Sequence, residues 1–223
     1  MAKRIGVVTI GATPRPDGLV TEIGQILGGG YELLEAGALD GLSKAEVQAM
    51  APEPGEYLLI TVLGDGSSVT VAKRHIVPLV QKRIDEMNAR EMDVVLLMCT
   101  GAFPPLESRK PLVRPQPILY NLVRGIAEGR KVGVMTPLPA QVEQARSKWS
   151  EVGVETSVAP ADPYGDPARI EAAALELARE NVSLIVMDCF GYTLAMKELV
   201  RRETGLPVVL ARSAIARVVG ELT

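Results

Sequence analysis

The 223-residue chain is short of the residues that several functional classes need. It has two cysteines and one histidine, His75. Two cysteines build no disulfide framework, and with a single histidine they fall short of a structural zinc site. One Trp, five Tyr and two Phe leave few platforms on which single-stranded nucleic acid could stack. Positive charge is not in excess: 24 Lys and Arg stand against 27 Asp and Glu, for a net charge of −3. That balance argues against broad binding to nucleic acid or to an anionic membrane. No apolar run approaches the roughly 18 residues of a membrane span. The apolar stretch after Met1-Ala2-Lys3-Arg4 is too short for the core of a signal peptide. A cytoplasmic protein that binds neither nucleic acid nor membrane is therefore expected. Phosphate-binding glycine motifs are missing too, since Gly28-Gly29-Gly30 leads into a strand pattern at Tyr31 rather than a helix. No metal and no organic cofactor are expected.

What is present is an ordinary globular mixture, 47% hydrophobic and 23% charged, in a chain long enough to bury a sizeable core. Short apolar runs at Ile5–Ile10, Leu58–Leu63, Val69–Ala72, Asp93–Met98, Val132–Thr136, Val154–Ala159, Ser183–Met187 and Pro207–Leu210 read as strands. Gly64-Asp65-Gly66-Ser67 joins the second and third as a hairpin. Helix patterns cover Gly18–Leu27, Ser43–Met50, His75–Arg90, Ile118–Glu128, Ala140–Val152, Pro167–Asn181, Thr193–Thr204 and Ser213–Leu222. Ser43 with Glu46 fits a capping box, and Asp166-Pro167 fits a cap and first helical position. Pro78 is placed in the first turn of its helix, where a missing N–H costs nothing. Lys73-Arg74-His75 reads as a solvated helix start. Alternating strands and helices imply an α/β fold with mainly parallel sheets flanked by helices.

The chain also echoes itself. Ile5-Gly6-Val7-Val8-Thr9 resembles Val132-Gly133-Val134-Met135-Thr136, and the strand ending in Cys99-Thr100-Gly101 resembles the one ending in Cys189-Phe190-Gly191. Two pseudo-symmetric lobes follow: residues 1–127 carrying Cys99 and residues 128–223 carrying Cys189, with a linker near Gly125–Lys131. The last helix, about residues 212–222, has no strand after it and is expected to pack back on the first lobe.

Both cysteines end apolar strands, at the end of an open α/β sheet where ligands bind. Backbone N–H groups in the following turn can hold a carboxylate and lower a thiol pKa. If the lobes face each other, the two thiols line opposite walls of one active-site cleft. One thiolate then takes a proton from a carbon acid while the other thiol supplies one to the opposite face. The plainer alternative is that a free cysteine is a small buried hydrophobe. Thr9, Thr100 and Thr136, with the turn glycines Gly11, Gly101 and Gly191, are candidates to bind a substrate carboxylate, although such threonines also cap strands. Arg15 is a candidate two-pronged carboxylate clamp, with Arg74 and Arg109 weaker candidates. Tyr192 either donates to an enolate or packs. Asp188, pointing away from the cysteine face, either bonds backbone amides or tunes the thiol.

The segments Ile5-Gly6-Val7-Val8-Thr9-Ile10-Gly11, Leu96-Leu97-Met98-Cys99-Thr100 and Met187-Asp188-Cys189-Phe190-Gly191 resemble the AroM family, as do Gly41-Leu42-Ser43, Ala51-Pro52-Glu53, Gly55-Glu56 and Ala214-Ile215-Ala216-Arg217. That family looks related to the aspartate/glutamate racemase superfamily, which includes hydantoin racemases, maleate isomerases and arylmalonate decarboxylases. The resemblance implies two lobes that each give one cysteine to a central cleft. It also implies cofactor-independent proton transfer on a small carboxylate or related carbon acid, with Cys99 and Cys189 as the catalytic pair. Homodimers occur in the superfamily, so the resemblance admits one here. Amino-acid racemases carry Cys-Asn-Thr and Cys-Thr where this chain has Cys99-Thr100-Gly101 and Cys189-Phe190-Gly191. A mechanism using Cys189 alone, as in decarboxylases, and a non-catalytic carboxylate-binding role both stay open.

Overall fold

The computed structural model describes residues 2–223. Ten strands and eight helices are found among them: β1 (Lys3–Thr9), α1 (Leu19–Leu27), β2 (Tyr31–Gly37), α2 (Lys44–Gln48), β3 (Leu58–Val62), β4 (Ser68–Ala72), α3 (Lys73–Ala89), β5 (Val94–Met98), β6 (Leu112–Val113), α4 (Pro115–Ala127), β7 (Val132–Thr136), α5 (Val142–Ser150), β8 (Thr156–Pro160), α6 (Pro167–Ala178), β9 (Ile185–Met187), α7 (Leu194–Thr204), β10 (Val208–Leu210) and α8 (Ala211–Glu221). A single 3-10 turn, Pro139–Gln141, leads into α5.

The chain divides into two compact units, one running up to Pro115 and including Ala216–Thr223, the other Gln116–Ile215. The first holds a parallel sheet in the order β2-β1-β5-β6, the second a parallel sheet in the order β8-β7-β9-β10. Each unit therefore repeats one plan: its second strand at the edge, then its first, and the cysteine-bearing strand beside the first. The antiparallel β3–β4 hairpin is an addition to the first unit, with Leu58 opposite Ala72. Residues 125–131, read from the sequence as a linker, span the end of α4 and the turn into β7. Tyr120, Val123 and Ala127 of α4 share a core with Val132 and Val134 of β7, so α4 belongs with the second unit. The end of α8 belongs to the first unit, where Gly220 lies beside Leu27 of α1.

Strand alternation explains the layers. In the second unit, Met135, Ile185 and Met187 pack on Ile170, Ala174 and Leu177 of α6. Val132, Val134 and Val186 face Ala145 and Trp149 of α5 on the other side. In the first unit, Val8, Val95 and Leu97 pack on Ile76, Val80, Ile84 and Met87 of α3, and Cys99 continues that face. Caps fall where their chemistry predicts. Glu46 N–H donates to Ser43 Oγ while Ser43 N–H donates to the Glu46 carboxylate, and Ala168 N–H donates to Asp166 Oδ1.

Three local expectations need correction. α3 begins at Lys73, so Pro78 is inside the helix and removes one backbone hydrogen bond there. The helix start is not simply solvated: the Lys73 ammonium sits 4.2 Å from the Tyr57 ring centre, Arg74 pairs with Glu53 and Glu56, and His75 Nε2 is buried. α4 begins at Pro115, earlier than its apolar periodicity suggested, because Pro115 and Pro117 occupy a first turn whose N–H groups have no helical partner.

Candidate active site

In open parallel sheets the ligand crevice lies at the carboxyl ends of the strands, where the strand order reverses. That point falls between β1 and β5 in one unit and between β7 and β9 in the other. Cys99 directly follows β5, and Cys189 follows β9 by one residue, Asp188. Thr9 ends β1 and Thr136 ends β7, both buried. The same strand-end pair, one threonine and one cysteine, thus occurs once in each unit.

The two cysteine turns share their hydrogen bonding as well. Gly101 N–H donates to Cys99 Sγ at 3.3 Å, and Gly191 N–H donates to Cys189 Sγ at 3.3 Å. An amide N–H aimed at sulfur favours the charged thiolate over the thiol. A side chain at either glycine would crowd its neighbours. A Cβ on Gly101 would lie 2.8 Å from Leu59 Cδ2, and one on Gly191 would lie 2.7 Å from Pro163 Cγ and Tyr164 Oη. Neither cysteine is in a disulfide; Cys99 is buried and Cys189 half-buried.

Around Cys99, the structure gathers several of the expected residues. Thr9 Oγ1 accepts from Gly11 N–H at 3.3 Å and from Arg15 Nη1 at 3.4 Å. Arg15 does grip a carboxylate with two prongs, but the carboxylate belongs to Asp17, at 3.1 and 2.5 Å. Thr61 Oγ1 takes a third donor at 3.1 Å. The Arg15 side chain is 3% exposed and that of Asp17 16%, so this guanidinium is closed into the first unit rather than held open as a substrate clamp. Removing one member of a nearly buried pair leaves the other charge desolvated. Arg15→Met is expected to destabilise the protein by about 2 kcal/mol, with partial recovery in Arg15→Met/Asp17→Leu, as read by urea unfolding. Thr100 is buried beside Cys99. Ala102 N–H donates to the Tyr57 hydroxyl at 3.0 Å. Further along this loop, buried Asn88 Oδ1 accepts from Ser108 Oγ, Arg109 N–H and Lys110 N–H, each at 3.1 Å. Asn88, unremarkable in sequence, thereby anchors the segment between Cys99 and β6. Arg109 sits on that anchor and Arg74 on its two glutamates.

Around Cys189, the charged partners come from distant helices. Asp188 points to the opposite face of the sheet from Cys189, as strand geometry requires. Side chains hold its carboxylate: Lys148 Nζ lies 2.8 Å and Trp149 Nε1 2.8 Å from Oδ2. Tyr192 is fully buried and donates its hydroxyl proton to Ala161 O at 2.6 Å, so that proton is committed within the protein. Burial raises its pKa well above 10, and the charges of Cys189, Asp188 and Asp162 add to the shift. Arg212, 22 residues beyond Phe190, is buried at the start of α8 and donates to Phe190 O at 3.0 and 2.7 Å. No local pattern in the sequence marked Arg212 or Lys148. Thr136 is tied into its own sheet, its carbonyl accepting from Ala161 N–H at 2.8 Å. Among the described residues no three His, Cys, Asp or Glu side chains are grouped to hold a metal ion, and no helix is long and apolar enough to cross a membrane.

Comparison with known proteins agrees with this plan. The sequence profile described as AroM protein matches residues 5–223. No curated protein matches the chain by sequence similarity. Among solved structures, the maleate isomerase Iso from Pseudomonas putida S16 superposes with a TM-score of 0.68 at 14% identity, covering 98% of this chain and 92% of that one. Unliganded arylmalonate decarboxylase gives 0.65 at 15% identity, over 99% and 92%. Picrophilus torridus aspartate racemase gives 0.62 at 10% identity, over 99% and 94%. At these identities the likeness carries the fold, and the chain shares the two-lobed architecture of these enzymes.

Proposed function

The chain belongs to the AroM protein family, and on that premise we propose that it is a cofactor-independent racemase or isomerase of a small carboxylate or related carbon acid, with Cys99 and Cys189 as its acid–base pair. The observation that supports this reading is the repeated turn in which a glycine N–H meets the cysteine sulfur at 3.3 Å, at the ligand-binding end of each sheet. A cysteine kept only for packing has no need of that donor. In the proposed cycle one thiolate sulfur takes the Cα proton and becomes a thiol. The electron pair left on carbon spreads into the adjoining carboxylate, and the second thiol returns a proton to carbon and becomes a thiolate. The protein supplies both proton carriers. Thr9, Thr100 and Thr136 are the hydroxyls proposed to orient the carboxylate.

A one-thiol reading, decarboxylation or isomerisation through Cys189, draws support from exposure: Cys189 is half-buried whereas Cys99 is buried. Proton NMR of the reduced protein in D₂O with pooled small carboxylates tests the main reading. The expected result is loss of one substrate's Cα–H signal at a rate proportional to protein concentration. Release of CO₂ without exchange into the remaining substrate moves the reading to the one-thiol decarboxylase. A thermal shift that grows with the logarithm of carboxylate concentration, with neither exchange nor product, moves it to a binding protein.

A further inference from the structure

The two cysteine turns differ in what stands behind them. In the second unit, the peptide joining Phe190 to Gly191 is gripped at both ends: its carbonyl oxygen accepts from Arg212 Nε at 3.0 Å and Nη2 at 2.7 Å, while its N–H donates to Cys189 Sγ at 3.3 Å. Arg212 Nη2 also lies 3.4 Å from Gly191 O. A buried guanidinium on the carbonyl polarises the amide, so its N–H becomes a stronger donor to sulfur. The same contact fixes the peptide plane so that the N–H keeps its aim. In the first unit it is the next peptide that is seen held, Ala102 N–H donating to the Tyr57 hydroxyl at 3.0 Å.

We propose that Arg212 is a positioning residue that makes Cys189 the more acidic of the two thiols, and hence the resting thiolate that takes the first proton, while Cys99 rests as the thiol. The roles in turnover rest on the function proposed above; the difference in acidity does not. The charged and titratable groups on and beside this turn enter the balance. Asp188, on its own turn, is paired with Lys148 of α5 at 2.8 Å. Tyr192 stays neutral. Asp162 and Tyr164, from the loop after β8, come next, and the Asp162 carboxylate accepts from Tyr164 N–H at 2.9 Å. Asp162 acts against the thiolate. Arg212 of α8 and the Gly191 N–H act for it.

The test is the pH dependence of iodoacetamide alkylation, followed by intact mass, on Cys99→Ser (which leaves Cys189) and on Cys189→Ser (which leaves Cys99). Cys189 is expected to titrate at least one pH unit below Cys99, about a tenfold difference in thiolate fraction at neutral pH. Arg212→Met is expected to move the Cys189 midpoint up by about one unit and leave that of Cys99 in place, and Arg212→Lys to recover part of the shift. A purely structural role would not be restored by charge alone. A Cys189 midpoint at or above that of Cys99 in the proteins that keep Arg212 overturns the proposal without any Arg212 variant having to fold. Equal shifts of both thiols in Arg212→Met overturn it as well. Alkylation needs no turnover, so missing exchange with separated midpoints refutes the catalytic reading and leaves the Arg212 assignment standing.

Discussion

Cys189→Ser is expected to lower Cα–H exchange by about 10³-fold or more while the protein stays folded. Transfer of a proton by a positioned group typically contributes about 10²–10⁴ in rate, and a serine hydroxyl at neutral pH offers almost no anion to take one. The fold has little reason to suffer. The side chain is half-buried, the replacement is close in size, and the serine oxygen can accept from the same Gly191 N–H that now meets sulfur. Circular dichroism and thermal unfolding check that half of the expectation, and deuterium exchange followed by NMR checks the other. Cys99→Ser then separates the two mechanisms. With two thiols sharing the work, net inversion at carbon, read by polarimetry, falls as far as in Cys189→Ser, because the proton bound for the opposite face has no carrier. With one thiol, Cys99→Ser costs no more than a few-fold. Full exchange in both single variants would overturn thiol catalysis altogether.

Local and periodic features were legible in the sequence; long-range polar contacts were not. β7 runs from Val132 to Thr136 as its apolar run predicted, and the caps at Ser43 and Asp166 form as their side-chain chemistry requires. The two Cys-Xaa-Gly turns could be found because a backbone plan used twice leaves a repeated residue pattern. β6 escaped notice because two residues between Pro111 and Pro115 carry no periodicity. Arg15 is a candidate carboxylate clamp by residue type alone. Nothing in the residue order told which carboxylate would fill it, and its neighbour Asp17 does. In the residue order nothing distinguishes Lys148 or Arg212 from other helix charges. What makes them special is a partner 40 residues away for Lys148 and 22 for Arg212, brought close only by the crossovers that set β9 beside β7 and β10. Sequence reasoning recovers such contacts only through the register of the finished sheet.

The largest loss of stability is expected from the Lys148–Asp188 pair. Its side chains are 10% and 2% exposed, and the carboxylate also takes the Trp149 indole N–H. Surface pairs of the same kind, such as Arg146 with Glu143, are well exposed and contribute at most about 1 kcal/mol. Here the decisive quantity is desolvation. Lys148→Met keeps the length and apolar stem of the side chain but strands a carboxylate under the sheet, at a cost of about 4 kcal/mol, a fall in melting temperature on the order of 10 °C. Asp188→Asn still accepts from Trp149, so it should cost less, the remaining penalty coming from the buried ammonium. Lys148→Met/Asp188→Leu removes both charges and should be more stable than Lys148→Met alone, short of the natural protein by about 1–3 kcal/mol for the indole N–H left without its acceptor. A double variant as unstable as the sum of its singles would show that the two groups act independently. Because Asp188 is bonded to Cys189 along the chain, the same substitutions should loosen the thiol's aim, so exchange in Lys148→Met should fall even at temperatures where the protein is fully folded.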